Sequence, residues 1–398
     1  MVKKFFERKE KEDYPVLAIC YDFDKTLSPD DMQAQGFIQA VGYDAPDFWN
    51  KSNSLAADNE MDQNLAYMYT MMKESEGLEI FSKKTLEEYG SKVKFFPGVE
   101  SWFKRIQEYG QMKGVIVEHY IISSGLKEMI EGTSIVRNGA FKKIYASSFY
   151  YNERGIAVWP AQVVNYTNKT QFLFRIEKGV LDANDSMVNE SFPKEKIRVP
   201  FTNMVYIGDS DTDIPCMKLV HSNGGYSIGV FNNETKEKSK VYKMMRDKRI
   251  GFFAPADYSE GSNLEFLVQK IIDNVASRSA LEALHFDQKN EQIAAEKNQD
   301  ASQQKKVELI NQLEFSRNFA TTHIVIQDML EIMDWTSEER KQIFRVALQN
   351  DLVRYSMGDS KVRDLYSRLL EAENGVSPEA QEIKKLLEDR ETKQNISL

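Results

Sequence analysis

Short apolar segments, each bounded by polar residues, recur through the first two thirds of the chain. The first is Val16–Cys20, and four follow it: residues 115–122, 203–208, 226–231 and, more weakly, 249–254. Apolar runs of this length are typical of strands that are buried on both faces of a parallel sheet. Amphipathic stretches such as residues 98–109 lie between several of them. The alternation predicts an α/β fold, a doubly wound, Rossmann-like parallel sheet with helices on both faces.

Two longer segments interrupt this alternation. Residues 30–94 are mostly helical in pattern and predict a helical cap inserted after the first strand. Within that segment, residues 61–74 predict a helix with Leu65, Met68, Tyr69 and Met72 on one face. Residues 140–166 are rich in β-branched and aromatic side chains around the turn sequence Asn152–Gly155, which predicts a β-hairpin insert.

The last third of the chain lacks helix breakers. No glycine occurs between Gly261 and Gly358, and no proline between Pro255 and Pro378. This predicts mostly helical structure, with the polar residues 287–306 as a solvated helix or a linker. We therefore expect three parts: a catalytic core over residues 1–29 and 95–280, a cap over 30–94, and a helical C-terminal region over 281–398. The role of the C-terminal region is unknown, and oligomerisation and binding of a protein partner are both open.

Composition narrows the compartment and the partners. Hydrophobic residues make up 41% of the chain and charged residues 28%, which is ordinary for a soluble globular protein. The net charge of −9 argues against nonspecific binding of nucleic acid, and no apolar run approaches the length of a membrane span. The only cysteines, Cys20 and Cys216, suit a reducing compartment. We expect a cytoplasmic protein with neither a nucleic-acid nor a membrane partner.

Two carboxylates follow the first predicted strand. Asp22 and Asp24 are two residues apart, so in an extended chain they lie on one face while Phe23 lies on the other. In open α/β sheets, ligands bind at the carboxyl ends of strands, where this pair would emerge. Two converging acids repel each other unless a cation or a shared proton offsets the repulsion. Taken alone, the pair could also simply cap the next helix.

A second acidic cluster follows a later predicted strand. It comprises Asp209, Asp211 and Asp213. A calcium loop needs glycine after its third acid and glutamate at its twelfth position, where this chain has Ile214 and Val220, so that interpretation is rejected. Two strands that end side by side in carboxylates would instead place three or four acids around one point. Such hard oxygen ligands suit Mg²⁺.

A hydroxyl and a lysine complete the set of candidate side chains. Ser123 ends the second predicted strand and is followed by Ser124 and Gly125. A small hydroxyl beside a glycine, which lets backbone N–H groups approach, can cradle a phosphate, although serine at such a junction is more often a helix cap. Lys169 lies at the start of a predicted helix, where a lysine is most often solvated.

The order of these motifs is more informative than any one of them. The chain carries DxDxT at Asp22–Thr26, then Ser123, then Lys169, and then GDxxxD at Gly208–Asp213. Over about residues 15–232 this order resembles the haloacid dehalogenase superfamily. The helical insert directly after the first motif, and the Ser-x-Gly sequence, are most similar to the phosphoserine-phosphatase branch. However, Ser124 stands where the family often has a glycine, and we find no cap arginine to bind a substrate carboxylate; both count against phosphoserine itself.

The resemblance implies roles for the acids. Asp22 would be the nucleophile that forms an aspartyl phosphate. Asp24 would be the general acid that protonates the leaving alcohol and then the base that activates water. Mg²⁺ would be held by Asp22, the main-chain carbonyl of Asp24 and Asp209, with Asp213 binding it directly or through water.

The resemblance also implies phosphate-binding groups and an activity. Ser123 and Lys169 would bind the transferring phosphoryl oxygens. Thr26 is expected among the phosphate-binding residues as well, and it would steady the turn around the nucleophile. The expected function is a Mg²⁺-dependent phosphatase that acts on a small phosphorylated metabolite.

Several alternatives use some or all of the same residues. A phosphotransferase or phosphomutase would use the same site with a different acceptor. A phosphatase-fold protein could also carry a helical C-terminus that binds a partner. A two-component receiver domain has no reason to carry Asp24 or the GDxxxD motif. The dehalogenase members of the superfamily are disfavoured because the resemblance implies that they lack the acid at Asp24.

Overall fold

The computed structural model describes residues 6–78, 81–193, 196–209, 211–235, 237–295, 301–373 and 377–396. Its strands are β1 Val16–Tyr21, β2 Ile116–Leu126, β3 Phe141–Tyr151, β4 Ala157–Gln162, β5 Met204–Gly208, β6 Tyr226–Phe231 and β7 Phe252–Pro255. They form one sheet in the order β4-β3-β2-β1-β5-β6-β7. Every neighbouring pair is parallel except β3 and β4. The predicted α/β fold with a mostly parallel sheet is confirmed.

Helices, joined by turns and loops, accompany this sheet. Those before β2 are α1 Phe37–Ala40, α2 Ala45–Asp58, α3 Gln63–Ser75, α4 Lys83–Gly90 and α5 Val99–Met112. Those between β2 and the C-terminal third are α6 Lys127–Glu131, α7 Ser134–Arg137, α8 Thr170–Lys178, α9 Ile214–Ser222 and α10 Ser239–Arg246. The remainder are α11 Asn263–Ala295, α12 Ala301–Glu314, α13 Phe319–Leu330, α14 Ser337–Gln349, α15 Asp351–Ser356, α16 Ser360–Glu373 and α17 Pro378–Ile396.

The central strand β1 shows why the sheet is buried on both faces. Leu17, Ile19 and Tyr21 belong to one hydrophobic cluster, and the alternate residues Val16, Ala18 and Cys20 belong to another. This is the two-residue period of a strand with helices on both sides. Each aliphatic side chain buried in this way contributes about 1.5–3 kcal/mol. The continuous apolar run in the sequence is therefore the signature of β1 as the middle of the sheet.

The hairpin predicted at residues 140–166 forms, but it is not an insert that stands apart from the sheet. β3 and β4 pair antiparallel around the predicted turn, as expected. The first half of β3 also pairs parallel with β2, with Ile144 opposite Ile121. The hairpin thus extends the main sheet and makes β4 its edge strand. The sequence could not show this because a strand's own residues do not reveal which strand it pairs with.

The cap segment contains helices α1 to α4, and α3 turns a different face inward from the one predicted. Met68 is buried as expected, but Tyr69 is 49% exposed. Tyr67 and Met71 are buried instead. The predicted face was wrong by about one residue because Tyr67, rather than Tyr69, points at the sheet, where its hydroxyl reaches the Ser124 carbonyl on β2.

The chain divides into two compact units. The first comprises the described residues up to Val188 together with Arg198–Ser279, and it holds the sheet and the cap helices. The second comprises Asn189–Ile197 and the described residues from Ala280 onward. It has its own hydrophobic core, which includes Leu313, Ile326 and Phe344. The predicted helical character of this region is confirmed.

The polar stretch 287–306 is helical wherever it is described. α11 continues to Ala295 and α12 begins at Ala301. The prediction for residues 296–300 lies outside the described residues. In the described part of the chain, no helix is both long and apolar enough to cross a membrane. Cytoplasmic localisation stays a prediction.

Candidate active site

The register of the sheet brings the two acidic motifs together. β1 and β5 are parallel neighbours, with Tyr21 opposite Ile207. The Asp22 N–H extends this pairing by donating to the Ile207 carbonyl at 3.0 Å. Asp22 and Asp209 are the next residues to leave the sheet at their respective strand ends. The expected meeting of the two motifs at the carboxyl edge follows directly from this register.

Three carboxylates form one cluster at this edge. Asp22, Asp209 and Asp213 each offer an oxygen, and these oxygens all lie within 4.8 Å of one another. Asp213 is fully buried in the short turn that leads into α9. Asp209 Oδ1 is buried with no hydrogen-bond partner among the described residues. A buried carboxylate oxygen without a donor is costly unless a cation occupies the space beside it.

Lys169 lies inside this cluster rather than in solvent. Its side chain is fully buried, and its Nζ lies 3.0 Å from Asp22 Oδ1 and 2.8 Å from Asp213 Oδ1. Hydrogen bonds of the preceding loop hold it there: Asn168 Nδ2 donates to the Val163 carbonyl at 2.8 Å. Lys169 is the residue that precedes α8, and it provides no side-chain cap for that helix. The usual expectation for a lysine at a helix start does not apply here.

The charges explain the pKa shifts. Burial, with repulsion from Asp213, raises the pKa of Asp22 to about 6, against the attraction of Lys169. Burial, with repulsion from Asp213 and Asp22, raises the pKa of Asp209 to about 7. Burial lowers the pKa of Lys169, but the attraction of Asp213 and Asp22 outweighs it and the net shift is upward. Lys240 also lies near the cluster, with its Nζ 3.7 Å from Asp209 Oδ2. The pKa values of Asp22 and Asp209 stay raised in spite of these ammonium groups, so a divalent cation would suit the site.

Tyr206 belongs to the site, and the sequence analysis missed it. It lies on β5, is fully buried, and its hydroxyl donates to Asp213 Oδ1 at 2.9 Å. Asp213 therefore receives hydrogen bonds from both Lys169 and Tyr206. The available signal was a tyrosine within a buried apolar strand, because a buried phenol needs a hydrogen-bond partner.

Ser123 lies near the carboxyl end of β2, which continues to Leu126 rather than ending at residue 122 as the sequence predicts. It is fully buried, and its Oγ accepts a hydrogen bond from the Gly125 N–H at 3.0 Å. It does not cap the next helix, because α6 begins after Leu126 without a side-chain cap. A Cβ at Gly125 would lie 2.3 Å from Met32 Cε and 3.0 Å from Asp24 Oδ2. Only glycine lets this loop lie so close to the first motif.

Asp24 is adjacent to the metal cluster, but its carboxylate is not part of it. Its Oδ1 accepts a hydrogen bond from the Met32 N–H at 2.8 Å. Burial, with repulsion from Asp31 and Asp22, raises its pKa well above the ordinary value. A raised carboxyl pKa favours the protonated form that a general acid needs. The expected metal ligand from this residue is the main-chain carbonyl, and that stays a prediction.

Thr26 is buried at the turn after Asp24. Its hydroxyl has no hydrogen-bond partner in the described part of the chain. Its carbonyl accepts from the Tyr258 hydroxyl at 2.8 Å, and the turn itself is closed by backbone bonds from Leu27 and Ser28 to the Phe23 carbonyl. The phosphate-binding and turn-steadying roles of the Thr26 hydroxyl stay predictions.

The residues present fit Mg²⁺. Carboxylate oxygens from three residues converge, and the Asp209 Oδ1 atom lacks a donor among the described groups. Magnesium prefers such hard oxygen ligands and is usually held by a few carboxylates plus substrate phosphate.

Known proteins place this site in a family. The family model for haloacid dehalogenase-like hydrolases matches residues 19–218, about half of the chain. The chain belongs to this family of hydrolases, and the resemblance predicted from the motifs is confirmed. An uncharacterized protein of Borreliella burgdorferi is 28% identical over 285 residues, which cover 64% of this chain and 96% of that protein.

Solved structures of the same family are similar to this chain at low identity. A HAD family hydrolase from Salmonella enterica serovar Typhi is 17% identical, with a TM-score of 0.42, over 66% of this chain and 73% of that one. A probable phosphoserine phosphatase from Vibrio cholerae is 12% identical, with a TM-score of 0.44, over 67% of this chain and 69% of that one. At these values neither structure bears on which ester, if any, this chain hydrolyses.

Proposed function

We propose that this protein is a Mg²⁺-dependent phosphomonoester hydrolase that works through an aspartyl phosphate on Asp22. The observation that carries the proposal is the buried contact of Lys169 with Asp22 and Asp213, beside the Asp209 oxygen that has no hydrogen-bond partner in the part of the chain that the structure describes. This arrangement supplies a nucleophile, a fixed positive charge and a set of metal ligands within one small space. Phosphoryl transfer needs mainly alignment and charge neutralisation, and these groups supply both.

In the first step, Asp22 attacks the phosphorus atom of the ester through its carboxylate. The bond from phosphorus to the leaving oxygen breaks as the bond to Asp22 forms. Asp24 gives its proton to the leaving oxygen, which departs as an alcohol. The ammonium of Lys169 lies beside Asp22, where it can also attract the phosphoryl oxygens, and the Ser123 hydroxyl can donate to them.

In the second step, Asp24 takes a proton from water, which attacks the phosphorus atom of the aspartyl phosphate. The bond between phosphorus and Asp22 breaks, and inorganic phosphate leaves. When bound, Mg²⁺ would be held by Asp22, the Asp24 carbonyl, Asp209 and Asp213, and it would neutralise charge on the phosphoryl group.

The main alternative uses the same residues with another acceptor. In a phosphotransferase or phosphomutase, an alcohol would replace water in the second step. The site is well covered, since Asp22 is 6% exposed and both Ser123 and Lys169 are fully buried. A covered site suits a small substrate under the cap helices, as the sequence predicts. Oligomerisation or partner binding by the C-terminal unit stays a prediction.

The test is phosphate release from a broad panel of phosphomonoesters by the full-length protein with Mg²⁺. We expect hydrolysis that EDTA abolishes and that Asp22→Asn abolishes. Asp247→Asn is the matched control, because Asp247 is exposed after α10, and it should behave like wild type. If the pure wild-type protein hydrolyses no member of the panel, or if Asp22→Asn retains activity, the proposal is wrong.

A further inference from the structure

Cap helix α3 is hydrogen-bonded to both segments that carry the proposed phosphate-binding side chains. These are the end of β2, with Ser123, and residues 163–169, which lead to Lys169. The Tyr67 hydroxyl donates to the Ser124 carbonyl at 2.7 Å, one residue after Ser123. Asn64 Nδ2 donates to the Val164 carbonyl at 2.9 Å, in the loop that leads to Lys169. At the start of the same helix, Asp62 accepts from Asn165 Nδ2 at 2.9 Å.

Ser147 forms hydrogen bonds to both of these segments. It is fully buried on β3, and its hydroxyl donates to the Ser124 carbonyl at 3.1 Å. The same oxygen accepts a hydrogen bond from the Val164 N–H at 3.0 Å. The Ser124 carbonyl therefore receives two donors, one from the cap helix and one from the sheet.

The peptide group between Ser124 and Gly125 connects these donors to Ser123. Its carbonyl is held by Tyr67 and Ser147, and its N–H donates to Ser123 Oγ at 3.0 Å. A peptide group is planar, so fixing its carbonyl also fixes the direction of its N–H. The hydrogen bond from the Tyr67 hydroxyl therefore also fixes the position of the N–H that binds the Ser123 hydroxyl, because both belong to the same planar peptide group.

The neighbouring tyrosine provides an internal comparison. Tyr67 is 5% exposed and makes an edge-to-face contact with Trp49 at 6.0 Å between ring centroids. Tyr69, on the same helix, is 49% exposed. The side chain of Tyr67 therefore faces the end of β2, and that of Tyr69 faces solvent.

We propose that Tyr67 and Ser147 are positioning residues that orient Ser123 through the Ser124–Gly125 peptide and set its spacing from Lys169. The inference rests on the proposed function, because it assigns these residues to the phosphoryl-binding step of the same site. Substrate binding is strongest when α3 is seated, because only then are both donors to the Ser124 carbonyl in place.

The experiment compares Tyr67→Phe with Tyr69→Phe in the full-length protein with Mg²⁺. Both variants lose one hydroxyl from the same helix and keep the ring. For each we would measure kcat, KM, the inhibition constant of inorganic phosphate and the unfolding temperature. Loss of one neutral hydrogen bond predicts an inhibition constant about 3- to 10-fold weaker, and a similar fall in kcat/KM, for Tyr67→Phe. Tyr69→Phe should match wild type, and Ser147→Ala should act like Tyr67→Phe.

The outcomes separate the inference from the proposed function. If the wild type hydrolyses phosphomonoesters and Tyr67→Phe binds inorganic phosphate as tightly as Tyr69→Phe, the positioning role is wrong and the proposed function stands. If Tyr67→Phe lowers only the unfolding temperature, the hydroxyl is merely structural and the inference is also wrong. If the wild type hydrolyses nothing, the proposed function is wrong, and the inference that rests on it is wrong as well.

Discussion

The Nζ of Lys169 lies 3.0 Å from Oδ1 of Asp22, and neither side chain is more than 8% exposed. Lys169 has two roles in this contact. The lysine offsets the crowding of carboxylates in the resting site, and its charge is placed where a phosphoryl group on Asp22 would bring new negative charge. A surface ion pair would do neither, because water would screen it. The contact therefore links the stability of the site to its chemistry.

Replacing Lys169 should separate metal binding from catalysis. In Lys169→Met the carboxylates keep their oxygens but lose the positive charge that competes with a cation. We expect Mg²⁺ to bind at least as tightly as in wild type while kcat falls by about 100-fold or more, the usual cost of losing one preorganised charge-stabilising donor. Isothermal titration with Mg²⁺ and a steady-state assay would show both effects. Parallel loss of Mg²⁺ affinity would contradict the assigned role.

Replacing Asp209 should have the opposite signature. Its Oδ1 is buried and has no hydrogen-bond partner among the described residues, and its Oδ2 lies 3.7 Å from the Nζ of Lys240, so Asp209→Asn removes a charge that a cation would offset. We expect the Mg²⁺ affinity to fall by about tenfold or more, and activity to return in part at high Mg²⁺. Titration calorimetry of this variant beside Asp247→Asn is the measurement. Unchanged Mg²⁺ affinity would remove Asp209 from the metal site.

Substitution of Gly125 should lower the activity more than it lowers the stability. The added Cβ of Gly125→Ala meets the flexible end of Met32, which can move, and the Asp24 carboxylate, which the Met32 N–H holds in place. We expect a loss of stability of about 1 kcal/mol and a fall in kcat of about tenfold. In a Met32→Ala background, where the flexible end of Met32 is gone, adding Gly125→Ala should cost little further stability but still lower kcat, as judged by urea unfolding and initial rates. An unchanged kcat would show that Asp24 is not displaced.

A buried ion pair near the start of β2 gives a pH prediction for stability. Arg198 donates to both carboxylate oxygens of Glu118, at 2.7 and 2.9 Å, and Tyr120 donates at 2.6 Å. Burial raises the pKa of Glu118, but these hydrogen bonds outweigh it and hold the pKa at about 2, below the ordinary 4.5. The ionised carboxylate therefore contributes stability above about pH 4.5, and this contribution is lost as the pH falls towards 2.

Glu118→Gln should be less stable than wild type at pH 7 by on the order of 3 kcal/mol. The difference should shrink as the pH is lowered from about 5 to about 2, because the wild-type carboxylate becomes protonated. Urea unfolding midpoints across this range are the measurement, with the exposed Glu234→Gln as control. A difference that is independent of pH would mean that Glu118 contributes by packing alone.

Sequence patterns predicted those parts of this structure that depend on local periodicity. The apolar run of β1 reports burial on both faces, and the acids that follow it mark the carboxyl end of a strand. The order of DxDxT, Ser123, Lys169 and GDxxxD predicted that these residues belong to one site. The structure brings the carboxylates of Asp22, Asp209 and Asp213 together and places Lys169 against Asp22 and Asp213.

The remaining features depend on contacts between distant segments. The pairing of β3 with β2 is set by the sheet as a whole, and nothing in residues 140–166 encodes it alone. Tyr206 looks like one more apolar strand residue until its hydroxyl is seen against Asp213. The inward turn of Tyr67 rather than Tyr69 depends on the Ser124 carbonyl, some 57 positions away along the chain.

The most direct test of the account is a search for a phosphoryl group on Asp22. Asp24→Asn lacks the base for the second step, so an aspartyl phosphate should accumulate when this variant turns over a reactive aryl phosphate with Mg²⁺. Acid quenching, proteolysis and mass spectrometry should find one phosphoryl group on the peptide that contains Asp22, and none in Asp22→Asn. Hydrolysis by the wild-type protein without any phosphorylated Asp22, or with the phosphoryl group on another residue, would contradict the account.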